Sequence, residues 1–595
     1  MTTIIFVREI AERFPLKLTI IFFVLMLMVV IDLASIVILA PVVDVFLGTD
    51  KNMGGDLSVK LMEFMSLIGI PITLVGVLSA LLLINFLKVL INIISQRALT
   101  IVQYAIVGEI MHDTFKSMLS ARWEFFSGSK QGTILNSYMV EMGNLGKTTL
   151  VLGNFFAAII QIVFFLSLPF FLSWQVTSYI IVFVVLVLFP FMMMGSYSKK
   201  FGSELTDIRN QIGGIIQESF GSAKIILGFG NQQKQYLKLS SEYNKFERNA
   251  VRTQTFNEGI KNVYYPLGVA AMAVALFASQ KFELPISDTA VLLYAFMRSM
   301  PLFGDIVNYK HRLDHLLPSY RQVISLKSQA ESLRQFSGER SFDGFNTGVQ
   351  IEDLTFSHPT REPVLRKIAM QFQKGHMVAI VGESGSGKST LIDLVMGFHE
   401  PVSGLVMIDG IPLQEYDIQA YRKRIGYVPQ ESTLFNMTIA DNLRWANEGA
   451  SDEEIRAACK LANADAFIES FPDGYDTIVG DQGMRLSGGQ AQRISLARAV
   501  IRKPDLLILD EATSSLDSTS ERLIQQAIEN IVHETTAIVV AHRLSTIKNS
   551  DYIYVLGNKG RVVEEGTYSH LLTFQGVFAR MIESQQLGAG EHVGI

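Results

Sequence analysis

One segment of the chain has the residue types and spacing needed to hold a chain of phosphates. Residues 382–389, GESGSGKS, fit the pattern Gly-x4-Gly-Lys-Ser/Thr and follow the apolar run MVAIVG. Glycines here let backbone N–H groups point at phosphate oxygens, Lys388 supplies a cation for the β- and γ-phosphates, and the Ser389 hydroxyl is a ligand for Mg²⁺. The segment therefore predicts a nucleoside triphosphate site between a strand and a helix that begins near Thr390.

A pair of carboxylates follows a second apolar run, in LLILDEAT. A buried strand at this run would deliver Asp510 to the Mg²⁺ shell and Glu511 to the water that attacks the terminal phosphate. An acidic pair at an ordinary surface turn is the alternative, and the phosphate-binding segment upstream argues against it. Together the two segments predict hydrolysis of a nucleoside triphosphate.

Residues 486–490, LSGGQ, resemble the signature sequence of ATP-binding cassette (ABC) proteins. Further elements follow the order of that family: Gln430 in YVPQ resembles the Q-loop, Asp517 in SSLD the D-loop, and His542 in VVAHRLST the switch histidine. The segment TIVGDQG is similar to the X-loop of exporters, with Asp481 where glutamate is usual. The resemblance implies that ATP is bound with Mg²⁺ and hydrolysed.

The same resemblance implies a role for each matching residue. Glu511, His542 and Gln430 are expected to be catalytic, with His542 contacting the γ-phosphate and Gln430 contacting Mg²⁺ or the attacking water. The expected metal ligands are Ser389, Gln430 and Asp510. The residues expected to bind ATP are His358, Gly382, Glu383, Ser384, Gly385, Ser386, Gly387, Lys388, Ser389, Thr390, Ser487, Gly488, Gly489, Gln490 and Asp517.

The position expected to stack on adenine departs from the family pattern. The segment LTFSHP resembles the adenine-stacking A-loop, but His358 stands where tyrosine is common. An imidazole ring has a smaller face than a phenol ring and can carry a charge. We therefore expect weaker stacking on adenine and a weaker preference for ATP over other nucleotides.

The composition excludes several classes of protein. The 595 residues include 51 Lys and Arg against 56 Asp and Glu, for a formal charge of −5, which argues against nucleic acid as a partner. The chain is 49% hydrophobic and 18% charged, with a mean hydropathy of +0.30, which indicates a membrane protein with a substantial soluble part. Cys459 is the single cysteine, so the sequence excludes an intramolecular disulfide and a cysteine cluster for zinc.

Apolar segments in the first half of the chain predict six membrane crossings. Residues 148–198 form a run of 51 without Asp, Glu, Lys or Arg. Because one helix needs ~20 residues to cross a bilayer core, this run fits two crossings with a turn near Trp174. The other crossings are expected at residues 18–47, 66–87, 262–280 and 288–308.

Basic residues beside these segments predict the orientation of the chain. Arg8, Arg13 and Lys17 precede the first crossing, and positive residues stay on the cytoplasmic side. Both termini and the nucleotide site are therefore expected in the cytoplasm, with the chain in the cytoplasmic (inner) membrane. Residues 1–15 are expected to form an amphipathic helix on its inner surface. A signal peptide is the alternative, and Asp32 within the first apolar run argues against it.

The resemblance covers almost the whole chain and implies an exporter half-transporter. Its fold class is an α-helical membrane domain with six spans, followed by an α/β P-loop ATPase domain with a helical subdomain. Coupling helices are expected around residues 123–126 and 221–224. The expected domains are an interfacial helix at 1–15, a membrane domain with two cytoplasmic coupling loops at 16–324, a linker at 325–348, an ATP-binding cassette at 349–583 and a tail at 584–595.

A single cassette has a consequence for assembly. In this family each signature sequence closes over the phosphate-binding segment of a second cassette. This chain carries one signature and one such segment. The resemblance therefore implies a dimer, and we expect a homodimer in the lipid bilayer.

The last predicted crossing carries polar residues that bear on the substrate. Arg298 is about ten residues, or ~15 Å of helix, from the outer end, which is near mid-membrane. At ~100° per residue it shares a helical face with other polar or aromatic residues, and this face is expected to line the substrate path. The residues of the face are Tyr294, Arg298, Asp305, Tyr309 and Arg312. The alternative is that Arg298 pairs with Asp32 or another helix and does not contact substrate.

These features predict ATP-driven export or flipping of an amphipathic substrate. An anionic lipid-linked compound is favoured by Arg298 and by residues 297–301, MRSMP, which resemble a segment of bacterial lipid-linked oligosaccharide flippases. A glycolipid or another lipid fits as well. A multidrug or peptide exporter of the same architecture is one alternative, and an ATP-gated channel or sensor ABC protein is another.

Overall fold

The computed structural model describes residues 8, 11–48, 55–128, 134, 137–193, 195–358, 362–510, 518–532, 535–541 and 544–590. The chain forms two compact units. The helical unit contains residues 1–119 and 129–332, and the sheet unit contains residues 120–128 and 333–595. The predicted interfacial helix at residues 1–15 lies largely outside the described residues.

Long helices build the helical unit. Their apolar sequences suit a bilayer, because a helix satisfies its own backbone hydrogen bonds where no water is present. The helices are α1 (Pro15–Val37), α2 (Leu39–Leu47), α3 (Asp56–Leu67), α4 (Leu74–Leu119), α6 (Met142–Leu172), α7 (Trp174–Met193), α8 (Gly195–Gly221), α9 (Ala223–Gly228), α10 (Gln232–Lys281) and α11 (Ile286–Ser332), with α5 (Trp123–Gly128) assigned to the sheet unit.

Within the described residues, four stretches are long and apolar enough to cross a membrane: Pro15–Leu47, Leu74–Leu119, Ser137–Leu172 and Ile286–Ser332. The other two predicted crossings coincide with shorter apolar helices at Trp174–Phe183 and Pro266–Lys281. Large apolar side chains on these helices are exposed, including Phe86 at 75% and Phe171 at 86%. An apolar exterior of this extent is what a lipid-facing bundle presents.

The second crossing begins later than the sequence predicts. Residues 66–73 do not belong to one continuous helix, because α3 ends at Leu67 and α4 begins at Leu74. Gly69 has a positive φ of 77°, and Pro71 has no N–H to donate to a helix. The apolar residues here continue the hydrophobic run without continuing the helix.

The helical unit also extends further than the sequence predicts. Residues 325–332, which were expected to begin the linker, are the end of α11, which runs to Ser332. These residues, SLKSQAES, lack an apolar stripe, but Leu, Lys, Gln, Ala and Glu are good helix formers. Absence of apolar periodicity therefore did not mark the end of the helix.

The sheet unit contains two sheets among the described residues. The smaller has the strand order β2-β1-β4-β5, and the larger has the order β10-β9-β3-β8-β7-β6. The strands are β1 (Gly348–Phe356), β2 (Leu365–Gln373), β3 (Met377–Gly382), β4 (Ser403–Ile408), β5 (Ile411–Pro412), β6 (Ile425–Val428), β7 (Leu506–Asp510), β8 (Thr536–Val540), β9 (Tyr552–Leu556) and β10 (Val562–Gly566).

Helices of the sheet unit follow most of the strands. They are α12 (Lys388–Val395), α13 (Ile418–Lys423), α14 (Ile439–Arg444), α15 (Asp452–Leu461), α16 (Asp465–Glu469), α17 (Gly488–Val500), α18 (Ser518–Val532), α19 (Leu544–Lys548), α20 (Tyr568–Thr573) and α21 (Val577–Gly590). The helix α21 runs through much of the predicted tail at residues 584–595.

The core of the sheet unit lies on both faces of the larger sheet. Along β7, Leu507 and Leu509 pack into one apolar cluster, whereas Leu506 and Ile508 pack into the other. This alternation follows from the two-residue period of a strand. Every residue of β3, β7 and β8 is buried, as expected for strands covered on both faces.

Candidate functional site

Four neighbouring parallel strands of the larger sheet end at the same edge. Strands β3, β8, β7 and β6 lie side by side, with Ile380 and Asp510 both opposite Val540 and with Val428 opposite Leu509. The segments that follow the four strands leave the sheet on the edge where ligands bind in α/β folds. Residues 382–389 and Asp510 are brought together in this way, and Gln430 follows the neighbouring strand β6.

The phosphate-binding segment forms a tight turn around its lysine. Lys388 is only 5% exposed, and its Nζ donates to the carbonyl oxygens of Gly382 at 2.9 Å and Glu383 at 3.1 Å. Gly387 caps α12 with a φ of 100°. The turn therefore holds the ammonium group at the start of a helix, where backbone N–H groups are free to meet an anion.

Two glycines of this turn are required by close contacts. A Cβ at Gly382 would lie 2.5 Å from the Leu556 carbonyl oxygen, and a Cβ at Gly387 would lie 2.7 Å from Leu365. The positive φ of Gly387 adds a second restriction, because residues with a side chain rarely adopt it. The glycines that the sequence pattern predicts are therefore also dictated by packing.

The residues expected to bind Mg²⁺ meet across the edge of the sheet. The Ser389 hydroxyl donates to the Asp510 carboxylate at 3.4 Å, and Asp510 is 5% exposed. A hydroxyl and a carboxylate are hard oxygen ligands of the kind that Mg²⁺ accepts together with phosphate oxygens and water. The pair therefore fits the metal that the sequence implies, with Asp510 reaching it from β7 and Ser389 from α12.

Two further ionisable side chains, Asp393 and Tyr427, are partly buried near Asp510. Burial raises the pKa of Asp393, on α12, to about 7, and the neighbouring Asp510 carboxylate adds to the shift. Burial likewise raises the pKa of Tyr427, on β6. Asp393 is therefore only partly ionised near neutral pH, and Tyr427 is neutral there.

Several of the predicted site residues lie outside the described residues. These are Glu511, Asp517 and His542. Glu511 follows the last residue of β7, and His542 comes two residues after the end of β8. Gln430, two residues after β6, is exposed. The roles expected for these residues stay predictions.

His358 lies at the end of β1 in a cluster of rings. Its ring is half-buried and makes edge-to-face contacts with Phe356 at a centroid distance of 5.0 Å and with His399 at 5.7 Å. The sequence did not single out His399. His399 stands in the segment Gly-Phe-His-Glu-Pro that follows α12. The residue types and spacing of this segment do not indicate a functional site.

The signature sequence opens α17 with a reciprocal cap. The Ser487 hydroxyl accepts from the Gln490 N–H at 3.3 Å, and the Gln490 side chain accepts from the Ser487 N–H at 2.9 Å. Ser487 and Gly488 are exposed, whereas Gly489 is buried. The cap presents the first backbone N–H groups of the helix at the surface, where an anion can approach.

Asp481, in the segment that is similar to the X-loop, lies just upstream of the signature sequence. Its carboxylate accepts a hydrogen bond from the Asn436 side-chain amide at 2.7 Å.

Comparison with known proteins decides the family. The model of the ABC transporter transmembrane region matches residues 18–302, and that of the ABC transporter matches residues 365–514. The heterocyst differentiation ATP-binding protein HepA of Nostoc sp. is 30% identical over 80% of this chain and 78% of its own length. The chain belongs to the ABC transporter family.

Two further similarities refine this assignment. The ATP-dependent lipid A-core flippase of Chromobacterium violaceum is 34% identical over 69% of the transporter and 70% of its own length. The structure of a bacterial Atm1-family ABC exporter with ATP bound has a TM-score of 0.79, at 23% identity, over 97% of the transporter and 99% of that chain. The predicted fold class and half-transporter layout are therefore confirmed. The chain is an exporter that couples ATP hydrolysis to transport.

A buried carboxylate organises the interior of the transporter's helical unit. Asp32, on α1, has a side chain that is only 4% exposed and forms an ion pair with Lys88 on α4. Gln161, on α6, donates to the same carboxylate at 3.0 Å. Arg298, on α11, lies 3.9 Å away and has a side chain that is 41% exposed. We call these four residues the Asp32 cluster.

The Asp32 cluster answers part of the question that the sequence left open. The proximity of Arg298 to Asp32 was the alternative to a substrate contact, and the structure places the two groups within ion-pair distance. Sequence reasoning missed Lys88 and Gln161 as members. A charged residue inside the apolar helix α4 was the available signal, because such residues are costly in a bilayer and need a partner.

Residues on the predicted polar face of α11 have different neighbours along the helix. Tyr294 packs against the apolar cluster that contains Ile36 and Phe165, whereas Tyr309 packs against another that contains Phe14. Asp305 is half-buried, and Arg312 is exposed. The expectation that this face lines the substrate path stays a prediction.

Proposed function

We propose that the transporter flips an amphipathic lipid with an anionic headgroup across the cytoplasmic membrane. It works as a homodimer with alternating access, and binding and hydrolysis of ATP with Mg²⁺ drive the cycle. Both termini and the sheet unit lie in the cytoplasm. The observation that supports the anionic headgroup is the charge of the Asp32 cluster.

The Asp32 cluster holds more positive than negative charge. Lys88 and Arg298 are cations, and both meet the carboxylate of Asp32, so the three side chains sum to +1. A lone arginine near mid-membrane costs at least ~2.5–3.5 kcal/mol on insertion scales. An anionic headgroup offers the missing negative charge, and bidentate guanidinium contacts suit phosphate and carboxylate alike.

The positions of the two cations suggest different roles. Lys88 has a side chain that is only 18% exposed and is held by Asp32, so it stays neutralised within the bundle. Arg298 is more exposed and at a longer distance from the carboxylate. Arg298 is therefore the group that meets the headgroup, and Asp32 offsets one of the two positive charges when no substrate is present.

The relatives support a lipid and leave its headgroup open. The protein of Chromobacterium violaceum is named a lipid A-core flippase, and so is a protein of Coxiella burnetii that is 30% identical over 83% of this chain. A lipid-linked oligosaccharide is a narrower possibility that rests on residues 297–301. The shared chemistry is an acyl-chain body with an anionic polar end.

Residues at the sheet edge carry the nucleotide chemistry. Mg²⁺ supplies charge neutralisation on the phosphates when it is bound, and Ser389 and Asp510 would hold it. Lys388 neutralises the β- and γ-phosphates from its position over the turn. Glu511 orients and deprotonates the attacking water, His542 contacts the γ-phosphate, and Gln430 links the site to the membrane part.

A second copy completes the site. Ser487 and Gly488 are exposed at the start of α17. In the family's arrangement they do not face the phosphate-binding segment of their own chain, so the nucleotide bound by the partner covers them. The short helix α9 begins within residues 221–224, where the sequence predicts the second coupling helix. It exposes large apolar side chains, including Ile225 at 61% and Leu227 at 63%, which suit docking on the sheet unit of the other copy.

Stimulation of ATPase activity by defined lipids tests the proposed substrate. The transporter is placed in nanodiscs of neutral phosphatidylcholine, and lipid A, phosphatidylglycerol, neutral glycolipids, peptides and drugs are added in turn. We expect anionic lipids to stimulate hydrolysis and Arg298→Ala to remove that stimulation while basal hydrolysis stays intact. Lys281→Ala is the matched control, because Lys281 is a cation at the end of α10 outside the cluster.

The outcome also separates the alternatives. Stimulation by neutral drugs or peptides, unchanged by Arg298→Ala, would favour the multidrug or peptide exporter. Passive ion flow that occurs only with ATP, and that is not accompanied by movement of a substrate, would favour the ATP-gated channel. An unchanged response of Arg298→Ala to anionic lipids would contradict the role of Arg298.

A further inference from the structure

The short helix α5 is packed onto the loop that follows α12. Trp123 lies against Phe398 at a ring-centroid distance of 6.5 Å, and the Arg122 guanidinium pairs with Glu400 at 2.9 Å. Phe125 is 2% exposed. All these residues belong to the sheet unit. The helix that leads out of α4 is therefore anchored on residues 398–400.

At the centre of this contact lies a buried histidine between two carboxylates. His399 has a side chain that is 3% exposed, and its Nδ1 lies 3.5 Å from the Glu124 carboxylate on α5. Its Nε2 lies 3.9 Å from the Asp393 carboxylate on α12, the helix that begins with Lys388. One ring therefore stands between the phosphate-binding helix and α5.

The same ring also reaches the position expected for adenine. His399 contacts Phe356 at a centroid distance of 5.0 Å and His358 at 5.7 Å, the latter edge-to-face. His358 is the residue that the sequence predicts to stack on the base. A change in the orientation of the His358 ring therefore displaces the His399 ring, because close-packed rings cannot move independently.

We propose that His399 is a positioning residue that transmits nucleotide occupancy to α5 through Glu124. The inference rests on the proposed function, and it uses two predictions from the sequence: His358 as the contact for the base, and residues 123–126, within α5, as a coupling helix. It assigns no catalytic step to His399. The ring responds to the base through His358 and to the phosphates through Asp393, and it acts on Glu124.

The chemistry of the imidazole gives this arrangement two states. Burial lowers the pKa of His399, while the nearby Glu124 carboxylate opposes that shift. A neutral ring has a single N–H, so with both carboxylates ionised only one of them can be its hydrogen-bond acceptor. Both distances are longer than a formed hydrogen bond, so a small ring movement forms or breaks the hydrogen bond to the carboxylate that faces the N–H. A choice between two discrete arrangements is what coupling requires.

The test separates nucleotide binding from its effect on the helical unit. A spin label is attached at Gln280→Cys, an exposed position near the end of α10, in the full-length transporter in nanodiscs. Pulsed electron spin resonance then measures the distance between the two labels without nucleotide and with ATP, Mg²⁺ and orthovanadate. The KM for ATP and basal kcat are measured on the same samples.

His399→Phe keeps the ring and removes both nitrogens. We expect the nucleotide-dependent shift in the equilibrium between the two label distances to weaken at least about fivefold, the lower end of allosteric coupling factors, with the KM for ATP changed less than about twofold. Glu124→Gln should have the same effect, and the double variant should be no worse than either single variant. Glu400→Gln is the control, because it removes the partly exposed ion pair with Arg122, next to α5, and leaves His399 and both of its carboxylates in place.

Conservative replacements make the prediction sharper. Asn places its amide N–H where Nδ1 stands, and Gln places its amide N–H where Nε2 stands. Because Nδ1 faces Glu124, His399→Asn should restore the distance change and His399→Gln should not. Rescue by Asn alone is a result that a purely structural role of the ring does not produce.

Two results from the variants would overturn the inference. One is an undiminished distance change in His399→Phe and Glu124→Gln. The other is a loss of ATP affinity in proportion to the loss of the distance change, which would make His399 a support of the base site only. A wild-type transporter that hydrolyses ATP with no distance change would overturn alternating access itself, and with it the inference.

Discussion

Lys88 and Asp32 form an ion pair between the apolar helices α1 and α4, and the carboxylate in that pair is almost completely buried. The pair lies beside Arg298 and Gln161. Because a buried charge without a partner is costly, this relationship predicts how the helical unit responds when one side of the pair is removed.

Lys88→Met should destabilise the helical unit, since it leaves Asp32 with Arg298 at a longer distance. Breaking a buried pair from one side costs about 3–5 kcal/mol, whereas replacing both partners with apolar or neutral groups is often close to neutral. The double variant Asp32→Asn with Lys88→Met should therefore recover much of the loss. Thermal unfolding in nanodiscs measures both, and a double variant less stable than Lys88→Met would contradict the pairing.

Lys388→Ala should nearly abolish binding and hydrolysis of ATP. The ammonium group is held by two carbonyl oxygens at the start of α12, where it is positioned to neutralise phosphate charge. Binding of a fluorescent ATP analogue and release of phosphate are the measurements. Lys423→Ala, at an exposed lysine of α13, serves as the control and should behave as wild type. ATP affinity retained in Lys388→Ala would refute the assignment of the phosphate site.

His358→Tyr should strengthen binding of ATP. A phenol ring offers adenine a larger face than imidazole, and a good aromatic contact contributes about 0.5–1.5 kcal/mol, or roughly a twofold to tenfold change in affinity. His358→Ala should change affinity in the opposite direction. Titration calorimetry with ATP and GTP checks both changes. Equal affinities in all three proteins would mean that residue 358 does not contact the base.

How far the sequence predicts this site depends on distance along the chain. Gly382, Lys388 and Ser389 are neighbours in sequence, so their geometry follows from one local turn. Asp510 is remote, yet its place beside Ser389 follows from the rule that parallel strands end at one edge. Local spacing and one topological rule are enough to predict the part of the site that residues 382–389 and Asp510 form.

Contacts that no such rule covers were harder to foresee. Lys88 and Gln161 lie on helices whose rotation about their own axes is fixed only by packing against neighbours, so their approach to Asp32 was not evident. His399 meets Glu124 because α5, which follows a membrane helix, packs within the sheet unit. In both places the decisive fact is which elements pack together, and residue spacing along one element carries no information about it.

The single cysteine should be inert in the folded protein. Cys459 is fully buried, and burial raises the pKa of its thiol to about 12. At pH 7 to 9 the reactive thiolate is therefore scarce as well as inaccessible. Maleimide labelling should be slow in the native transporter and fast in guanidinium chloride, with Gln280→Cys labelled fast in both. Comparable native rates for the two cysteines would contradict this burial.

The central claim is that ATP hydrolysis moves an anionic lipid from one leaflet to the other. Its most direct measurement uses proteoliposomes that contain fluorescent analogues of phosphatidylglycerol or of neutral phosphatidylcholine, with chemical quenching of the outer leaflet. The account predicts ATP-dependent translocation of the anionic lipid by wild type, weaker translocation by Arg298→Ala, and none by Glu511→Gln, which should still bind ATP. Translocation that is independent of ATP, that persists in Glu511→Gln, or that favours the neutral lipid would contradict the account.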